Sequence, residues 1–352
     1  MDHFEHKTLV TKPNQLTYSY YLSPSFHDQN IQTLILVHGY PDSAQMWAGA
    51  IPYLQKLPFR MLVLDILGLG DSSKPTDPSL YNYRKQADSL DQILRCEKVG
   101  GKVIPVGHDW GSAICQRFYL YYPERCSGLC LVSLAYQPPT TEPFILDEAN
   151  QATTHRFGYP QWEYFNFFTA SDAPDLMRNN MDRFYECMHG LYPSAKAGEE
   201  GKDIWMREMF CVPDGMREYI TSTGKYTDYT VPLKSYAEDT QVKKQQIDRL
   251  FQDGMEGAVC YYTSLTTNTM LEDERELCQS GKRSLDVPVL YIGQTGDWVC
   301  RTDLMSDARK QGLVPDVEEK VIEAGHWVLY ERPLEVAELL GDWLQKRFAV
   351  ST

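Results

Sequence analysis

The chain of 352 residues is 43% hydrophobic and 23% charged, an ordinary composition for a globular protein with a large core. Its formal charge of −14 opposes binding to nucleic acids and to anionic membrane surfaces, because both are negatively charged. The nine cysteines form no CxxC pair, which indicates reduced thiols in the cytoplasm rather than a disulfide framework. The start, "MDHFEHKTLV", lacks the features of a signal peptide, and no apolar run is long enough to predict a membrane span.

Strand-like and helix-like segments alternate from residue 32 onward. In chain order they are "QTLILV", "MWAGAIPYLQKL", "FRMLVLDI", "RKQADSLDQILRCE", "KVIPVG", "SAICQRFYLYY" and "CSGLCLVSL". The strands are unbroken aliphatic runs separated by helices, which is typical of a parallel sheet covered on both faces. We therefore predict an α/β fold with a mostly parallel, doubly wound sheet.

This alternation stops near Ala135, and residues 136–285 predict a mainly helical insertion rich in aromatic residues and methionine. Within it, "SAKAGEEGKD" predicts an exposed loop. The α/β pattern then returns with "VPVLYIG", "RTDLMSDARKQG", "VEEKVIEAG" and "PLEVAELLGDWLQKRF". We expect residues 1–135 and 286–352 to form one core, and the insertion to form a cap, or lid, over the carboxyl ends of the strands, where open α/β sheets bind ligands.

The segment "VGHDWGS" places Asp109 where a predicted strand turns into a helix. Gly107 and Gly111 permit the tight turn and the close approach of helix and strand that a β-carbon would block. This is the pattern of a nucleophile elbow, in which serine is the commoner central residue. The alternative is an aspartate that caps the N-terminus of the helix, which is a very common role.

A second segment, "HGYP", follows the first strong strand and consists of His38, Gly39, Tyr40 and Pro41. The backbone N–H of Tyr40 can act together with that of Trp110 to stabilise an oxyanion. Such a turn can contain a cis bond before Pro41, since proline makes that isomer accessible. Taken alone, the segment also fits a plain turn at the end of a strand.

Two further polar residues follow the last two predicted strands: Asp297 in "VLYIGQTGDWVC" and His326 in "VIEAGHWVLYERP". From a loop at the carboxyl end of a strand, His326 can act as a base, and Asp297 can accept a hydrogen bond from its far nitrogen. Each has an ordinary alternative as a turn aspartate or a capping histidine. The chain order of nucleophile, acid and base favours a catalytic set, since each residue follows a strand end.

Through these motifs the sequence resembles the α/β-hydrolase superfamily, and specifically its epoxide hydrolase branch. The resemblance covers residues 16–348 and is carried by "HGYP", by "GHDWGS" with its aspartate elbow, and by "GHW" around the histidine. It implies that Asp109 is the nucleophile, His326 the base and Asp297 the acid that orients this base.

An aspartate nucleophile is suited to displacing a leaving group from saturated carbon, because attack on an acyl carbon would produce a labile anhydride. The product is an alkyl ester of Asp109, which water activated by His326 can hydrolyse. The chemistry needs neither a cofactor nor a metal. Two classes of substrate fit it: epoxides, whose opening requires a proton donor, and alkyl halides, whose leaving group requires only weak N–H donors.

The tyrosines of the insertion favour the epoxide. In "GMEGAVCYYTS", Tyr262 matches the lid tyrosine of epoxide hydrolases, although Thr263 stands where that branch usually has arginine. In "QWEYFNFFTASDAPDL", Tyr164 is the best match for the second lid tyrosine. The chain has 23 tyrosines, so the alternative for each is an ordinary core position. We predict a cytoplasmic enzyme that uses water to open a small, apolar epoxide.

Two other functions stay open. A haloalkane or haloacid dehalogenase uses the same three residues, and Trp110 and Trp162 can offer indole N–H groups to a halide. Against it, Tyr40 and Trp110 stand where such enzymes often have asparagine and arginine. A non-catalytic receptor for small molecules has no need of an oriented base. The length of the insertion also leaves two explanations open, an unusual substrate pocket or a homodimer contact.

Overall fold

The computed structural model describes residues 1, 3–28, 31–197, 199 and 201–348. The strands in this part of the chain are β1 (Glu5–Thr11), β2 (Leu16–Leu22), β3 (Gln32–Val37), β4 (Phe59–Leu64), β5 (Val103–His108), β6 (Leu129–Val132), β7 (Val289–Gln294) and β8 (Val317–Ile322). They form one sheet in the order β1-β2-β4-β3-β5-β6-β7-β8. Strands β3 to β8 pair in parallel. β1 pairs antiparallel with β2, and β2 pairs antiparallel with β4. The predicted mostly parallel sheet is confirmed.

Helices flank this sheet and fill the long connection between β6 and β7. They are α1 (Ile51–Leu54), α2 (Tyr83–Cys96), α3 (Trp110–Tyr121), α4 (Leu146–Phe157), α5 (Tyr164–Phe168), α6 (Ala173–Asn179), α7 (Met181–His189), α8 (Trp205–Phe210), α9 (Gly215–Ile220), α10 (Thr240–Asp253), α11 (Cys260–Thr266), α12 (Leu271–Gln279), α13 (Met305–Lys310), α14 (Val328–Glu331) and α15 (Pro333–Phe348). Helix α2 packs on α3, and α15 packs on α1, α14 and β7.

The hairpin of β1 and β2 was not predicted from the sequence, since the predicted elements begin at residue 32. β1 has the sequence "EHKTLVT", and its residues are exposed or half-buried except Thr11. It lies at the edge of the sheet, with β2 as its neighbour. An edge strand with one face in solvent has no unbroken aliphatic run, so its hydrophobic pattern is a weak signal.

Helices α4 to α12 all lie between β6 and β7, which confirms the predicted helical insertion. The structure places several of its aromatic side chains in the interior, among them Phe165, Phe168 and Tyr262. Most described residues of the predicted loop "SAKAGEEGKD" are exposed, but Ser194 is buried. Gly198 and Glu200, which belong to the same loop, lie outside the described residues.

The interior of the core is the central part of the sheet. All residues of β4, β5, β6 and β7 are buried, which is typical of parallel strands covered on both faces. All nine cysteines are described, and each is unpaired. Among the described residues, no helix is both long enough and apolar enough to cross a membrane.

Candidate active site

Asp109 lies between the end of β5 and the start of α3, at a sharp turn of the backbone. Its φ of 53° falls in the left-handed region, which a residue with a β-carbon adopts at a cost in free energy. A β-carbon at Gly107 would collide with the backbone of Gly111, and one at Gly111 with the carbonyl of Val37. The two glycines therefore allow α3 to pack against the ends of β3 and β5, and this packing holds Asp109 in its strained conformation.

The side chain of Asp109 does not cap α3, so the capping alternative is wrong for this residue. Instead, its Oδ1 accepts a hydrogen bond of 2.9 Å from the backbone N–H of Tyr40. The Tyr40–Pro41 peptide bond is cis, as the sequence allows. Glycine is needed at position 39, because a β-carbon there would overlap the Asp109 carboxylate.

The turn that carries Tyr40 is held by His38, which is completely buried. Nδ1 of His38 lies 2.8 Å from the carbonyl oxygen of Gly39, and Nε2 accepts a hydrogen bond of 3.1 Å from the Ile66 N–H. Burial lowers the pKa of His38 to about 3. A neutral His38 thus donates at one ring nitrogen and accepts at the other, which links the turn to the chain that follows β4.

His326 lies between Asp297 and Asp109. Its Nδ1 is 2.6 Å from Asp297 Oδ2, and its Nε2 is 3.7 Å from Asp109 Oδ2. The other oxygen of Asp297 accepts hydrogen bonds from the backbone N–H groups of Val299 and Cys300, at 3.0 and 2.7 Å. Because these bonds fix the carboxylate of Asp297, they also fix the direction in which Nε2 of His326 points.

The three residues influence one another's pKa. Burial raises the pKa of Asp109, while the charge of His326 and the N–H groups of Trp110 and Tyr40 act to lower it. Burial alone would also raise the pKa of Asp297, but His326 and the backbone N–H groups outweigh it and leave this pKa low. For His326, burial acts to lower the pKa, but the charges of Asp297 and Asp109 raise it above its usual value.

Tyr164 and Tyr262 approach Asp109 from the insertion. Their rings contact each other at 5.7 Å between centroids, and Phe165 and Phe168 pack against both. Burial is the main reason that the pKa of each tyrosine lies well above 10, and the nearby charge of Asp109 adds to it. Both tyrosines therefore keep their protons, as donors must.

These side chains meet in one small chamber of about 20 Å³. It is lined by Tyr40, Asp109, Tyr164, Met188, Met206, Phe210, Tyr262, Val299, His326 and Trp327. A larger cavity of about 340 Å³ also borders Asp109 and Tyr164, and extends between α3 and the insertion. Trp110 and Trp162, the possible halide donors, border this larger cavity.

The polar residues on the larger cavity that were not predicted from the sequence are Tyr83, Arg117, Gln137, Thr140, Glu142, Asn268 and Glu274. Arg117 and Glu274 form a buried ion pair, with two hydrogen bonds of 2.7 Å. One signal for Arg117 is present in "SAICQRFYLYY", where it is the only charged residue of a mostly apolar helical segment. Glu274 has no comparable signal, since it lies in the strongly charged sequence "LEDERELCQ".

One group of side chains in the described part of the chain has the ligand types for a metal ion: Asp297, Cys300 and His326. Their potential ligand atoms lie within 4.8 Å of one another, and all three residues are buried. However, Asp297 Oδ2 and His326 Nδ1 are hydrogen-bonded to each other. The arrangement is accounted for by an oriented histidine base.

Comparison with known proteins identifies the fold family of the chain. Residues 32–333 match the profile of a family described as alpha/beta hydrolase fold. The chain is 26% identical to epoxide hydrolase srdG of Neurospora crassa, over 97% of this chain and 95% of that protein. It is 23% identical to bifunctional epoxide hydrolase 2 of Sus scrofa, of which it spans 51%.

Solved structures show the same fold. Epoxide hydrolase A from Mycobacterium thermoresistibile superposes with a TM-score of 0.74 at 20% identity, over 97% of this chain and 98% of that one. For potato epoxide hydrolase I, the TM-score is 0.71 at 20% identity, over 97% and 99% of the two chains. The sequence match, the sheet order and the aspartate elbow agree: this chain belongs to the alpha/beta hydrolase fold family.

Proposed function

We propose that the protein is an epoxide hydrolase, which opens an apolar epoxide to a vicinal diol through an ester on Asp109. The observation that carries this proposal is the small chamber, where Asp109 and His326 face Tyr164 and Tyr262. A nucleophile and a base face two protonated hydroxyls across this small chamber. The names of the similar proteins, which are epoxide hydrolases, support the same conclusion.

In the first step, a carboxylate oxygen of Asp109 attacks a carbon of the epoxide. Oδ1 is held by the Tyr40 N–H, and Oδ2 faces the histidine, so we assign the attack to Oδ2. The C–O bond of the ring breaks, and its electron pair stays on the departing oxygen. Tyr164 and Tyr262 donate hydrogen bonds to this oxygen, and one of them transfers the proton that makes it a hydroxyl.

In the second step, Nε2 of His326 removes a proton from a water molecule, which attacks the ester carbon of Asp109. Asp297 stabilises the imidazolium through its hydrogen bond to Nδ1. The negative charge develops on Oδ1, where the backbone N–H groups of Tyr40 and Trp110 stabilise it. Collapse of this intermediate breaks the bond between the carbonyl carbon and the substrate oxygen, and the departing alkoxide takes the proton held by His326 to give the diol. The second proton of the water returns to the tyrosinate, which restores the carboxylate of Asp109 and both tyrosine hydroxyls. All groups required are protein side chains, backbone N–H groups and water.

The domain boundaries fit this mechanism. Residues 1–135 and 286–352 would form the core that supplies nucleophile, acid and base, and residues 136–285 the cap that supplies the two tyrosines. Apolar residues of the cap such as Trp162, Phe165 and Leu265 line the larger cavity and favour an apolar substrate. The nine unpaired cysteines favour the cytoplasm as the location.

The direct test of the proposed function is a single turnover in water labelled with heavy oxygen, with enzyme in excess over an aryl or alkyl epoxide. We expect a diol without label, and label in the peptide that contains Asp109, because water attacks the ester carbon rather than the substrate. Label in the diol and none at Asp109 would contradict the ester mechanism.

A panel of epoxides and bromoalkanes, assayed for diol and bromide, separates the candidate functions. Diol from the epoxides is the expected result. Bromide without diol would indicate a dehalogenase. Neither product, together with tight binding of a small apolar ligand, would indicate a receptor.

A further inference from the structure

The larger cavity is not uniformly apolar. Its walls include Leu134, Pro138, Phe144, Trp162, Phe165, Leu265, Met270 and Leu271. Against this apolar surface lie Tyr83 of α2, Arg117 of α3 and Glu274 of α12, which form a polar cluster. The guanidinium carbon of Arg117 lies 5.4 Å from the centroid of the Tyr83 ring, so the three side chains are neighbours.

This polar cluster is buried but retains hydrogen-bonding capacity. The side chains of Arg117 and Glu274 are each 6% exposed, and Tyr83 is also 6% exposed. Arg117 donates twice to Glu274 and once to the carbonyl of Gln137, and its remaining N–H groups have no acceptor among the described residues. The Tyr83 hydroxyl likewise has no hydrogen-bond partner among the described residues.

An unpartnered polar group in an apolar cavity is costly unless a ligand or water satisfies it. Burial raises the pKa of Tyr83, so its hydroxyl keeps its proton and remains a donor. Tyr83 borders the same cavity as the nucleophile Asp109, so a polar group of a bound substrate can accept its hydrogen bond.

The distance of the polar cluster from Asp109 defines which part of a substrate could hydrogen-bond to Tyr83. Arg117 follows Trp110 by two helical turns on α3, so both lie on one face of the helix, about 10 Å apart along its axis. Trp110 lies next to the reacting centre. Arg117 donates a hydrogen bond to the carbonyl of Gln137, and Gln137 is exposed. The polar cluster therefore lies between Asp109 and the outer end of the cavity.

The charge of the cluster decides which group it accepts. Arg117 and Glu274 neutralise each other, so the cluster presents dipoles and no net charge. A carboxylate placed there would lie beside the Glu274 carboxylate and in the same cavity as Asp109, and its desolvation would have no compensating ion pair. An ammonium group would face Arg117.

We propose that Tyr83, Arg117 and Glu274 form a recognition site for an uncharged hydroxyl or carbonyl group of the substrate. The proposal rests on the proposed function and narrows it: the substrate is an amphipathic epoxide, with an apolar chain between the epoxide and an uncharged polar group about 10 Å away. Tyr83 donates the hydrogen bond to that group, and the ion pair of Arg117 and Glu274, which carries no net charge, disfavours a charged group in its place.

The test compares matched 1,2-epoxyalkanes of increasing chain length that end in methyl, hydroxyl or carboxylate. At the matching length, we expect kcat/KM to be about 3–10-fold higher for the hydroxyl than for the methyl compound, and lowest for the carboxylate. Tyr83→Phe should abolish the preference for hydroxyl over methyl. The matched control is Tyr121→Phe, since Tyr121 also has a buried, unpartnered hydroxyl but does not border the cavity. This control should keep the preference.

Glu274→Gln provides an independent variant. It leaves the charge of Arg117 uncompensated, so the discrimination against the carboxylate compound should fall by at least about tenfold. Equal kcat/KM for hydroxyl and methyl compounds in the unaltered enzyme, or a preference that survives in Tyr83→Phe, would overturn the inference and leave the proposed function intact.

Binding of unreactive diols separates the two proposals. Calorimetry with alkane-1,2-diols that carry or lack a terminal hydroxyl measures recognition without turnover. No epoxide turnover, combined with a preference for the terminal hydroxyl that depends on Tyr83, would overturn the proposed function and support the recognition site. If the enzyme neither turns over epoxides nor discriminates between the diols, both proposals are wrong.

Discussion

The two sides of Asp109 are held in place by different kinds of contact. On the core side, His326 and Asp297 are positioned by hydrogen bonds, including those from backbone N–H groups to Asp297. On the side of the insertion, Tyr164 and Tyr262 are positioned by packing against other aromatic rings. Hydrogen bonds fix direction to within a narrow range, whereas ring packing fixes position and allows small rotations.

This difference corresponds to the proposed roles of the two sides. A base must be aligned with one water molecule and one ester carbon, and it must keep a defined tautomer. Two hydroxyl donors can share a single oxygen, and either can compensate in part for a displacement of the other. We therefore expect the core side to tolerate substitution less well than the insertion side.

The largest effect is expected for the nucleophile. Asp109→Ala removes the only group proposed to form a covalent bond to the substrate, so kcat should fall by at least about 10⁴-fold. Burial raises the pKa of Asp109, so its ionised form lowers the free energy of unfolding. The melting temperature of the variant should therefore be no lower than that of the unaltered protein. Diol formation and thermal melting measure the two effects. Residual turnover above about one per cent would contradict the role of Asp109.

The next largest effect should come from the insertion side. Replacing both Tyr164 and Tyr262 by phenylalanine should slow ester formation by about 10²–10⁴-fold, because the opening ring loses its proton donors. Each single replacement should cost less. Rapid-quench measurement of the ester gives these rates. Tyr261→Phe is a matched control on the same helix, since the Tyr261 hydroxyl donates to Gln86 at 2.9 Å. Undiminished ester formation in the double variant would show that other groups donate the proton.

A third substitution tests the ion pair that joins the core to the insertion. Arg117→Met leaves the carboxylate of Glu274 buried without its partner, which should lower the free energy of unfolding by about 3–5 kcal/mol. Replacing Glu274 by leucine in the same chain should restore most of the loss, because two apolar side chains can fill the site. Urea unfolding of both variants provides the comparison. Equal stability of the single and double variants would show that the charge is not the cause.

The smallest effect concerns pH. The neutral form of His326 is the base, so the rate of ester hydrolysis should fall about tenfold for each pH unit below the pKa of His326. Burial acts to lower this pKa, and the charge of Asp297 is the main opposing influence. Asp297→Asn should therefore move the midpoint of the profile to lower pH, in addition to slowing the reaction. Single-turnover decay of the ester as a function of pH measures this midpoint, and an unchanged midpoint would contradict the assignment.

The raised pKa of His326 also makes the stability of the folded protein depend on pH. Because the folded pKa of His326 is raised, its contribution to stability is present in full below the unfolded pKa, about 6.5. That contribution is lost as the pH rises through the folded pKa. Asp297 acts oppositely: its pKa is lowered, so its contribution is present above its unfolded pKa and is lost as the pH falls through the folded value.

The local motifs could be interpreted from the sequence because their geometry depends on residues close in the chain. In "GHDWGS", the strand end, the elbow and the first turn of α3 lie within a few residues, so the position of Asp109 follows from the turn itself. The unbroken aliphatic strands predicted the parallel sheet for a similar reason. The hairpin of β1 and β2 could not be predicted in this way, since its edge strand faces solvent.

Side chains that meet only after folding set the limit of the sequence analysis. His326 and Asp109 were found because each lies at the carboxyl end of a parallel strand, and such ends meet at one edge of a sheet. Arg117 and Glu274 are 157 residues apart and lie on helices whose relative placement depends on the packing of the insertion. Their pairing, the burial of Tyr83 and the shape of the cavity were decided by tertiary structure, because contacts between distant segments leave no periodic pattern in either segment.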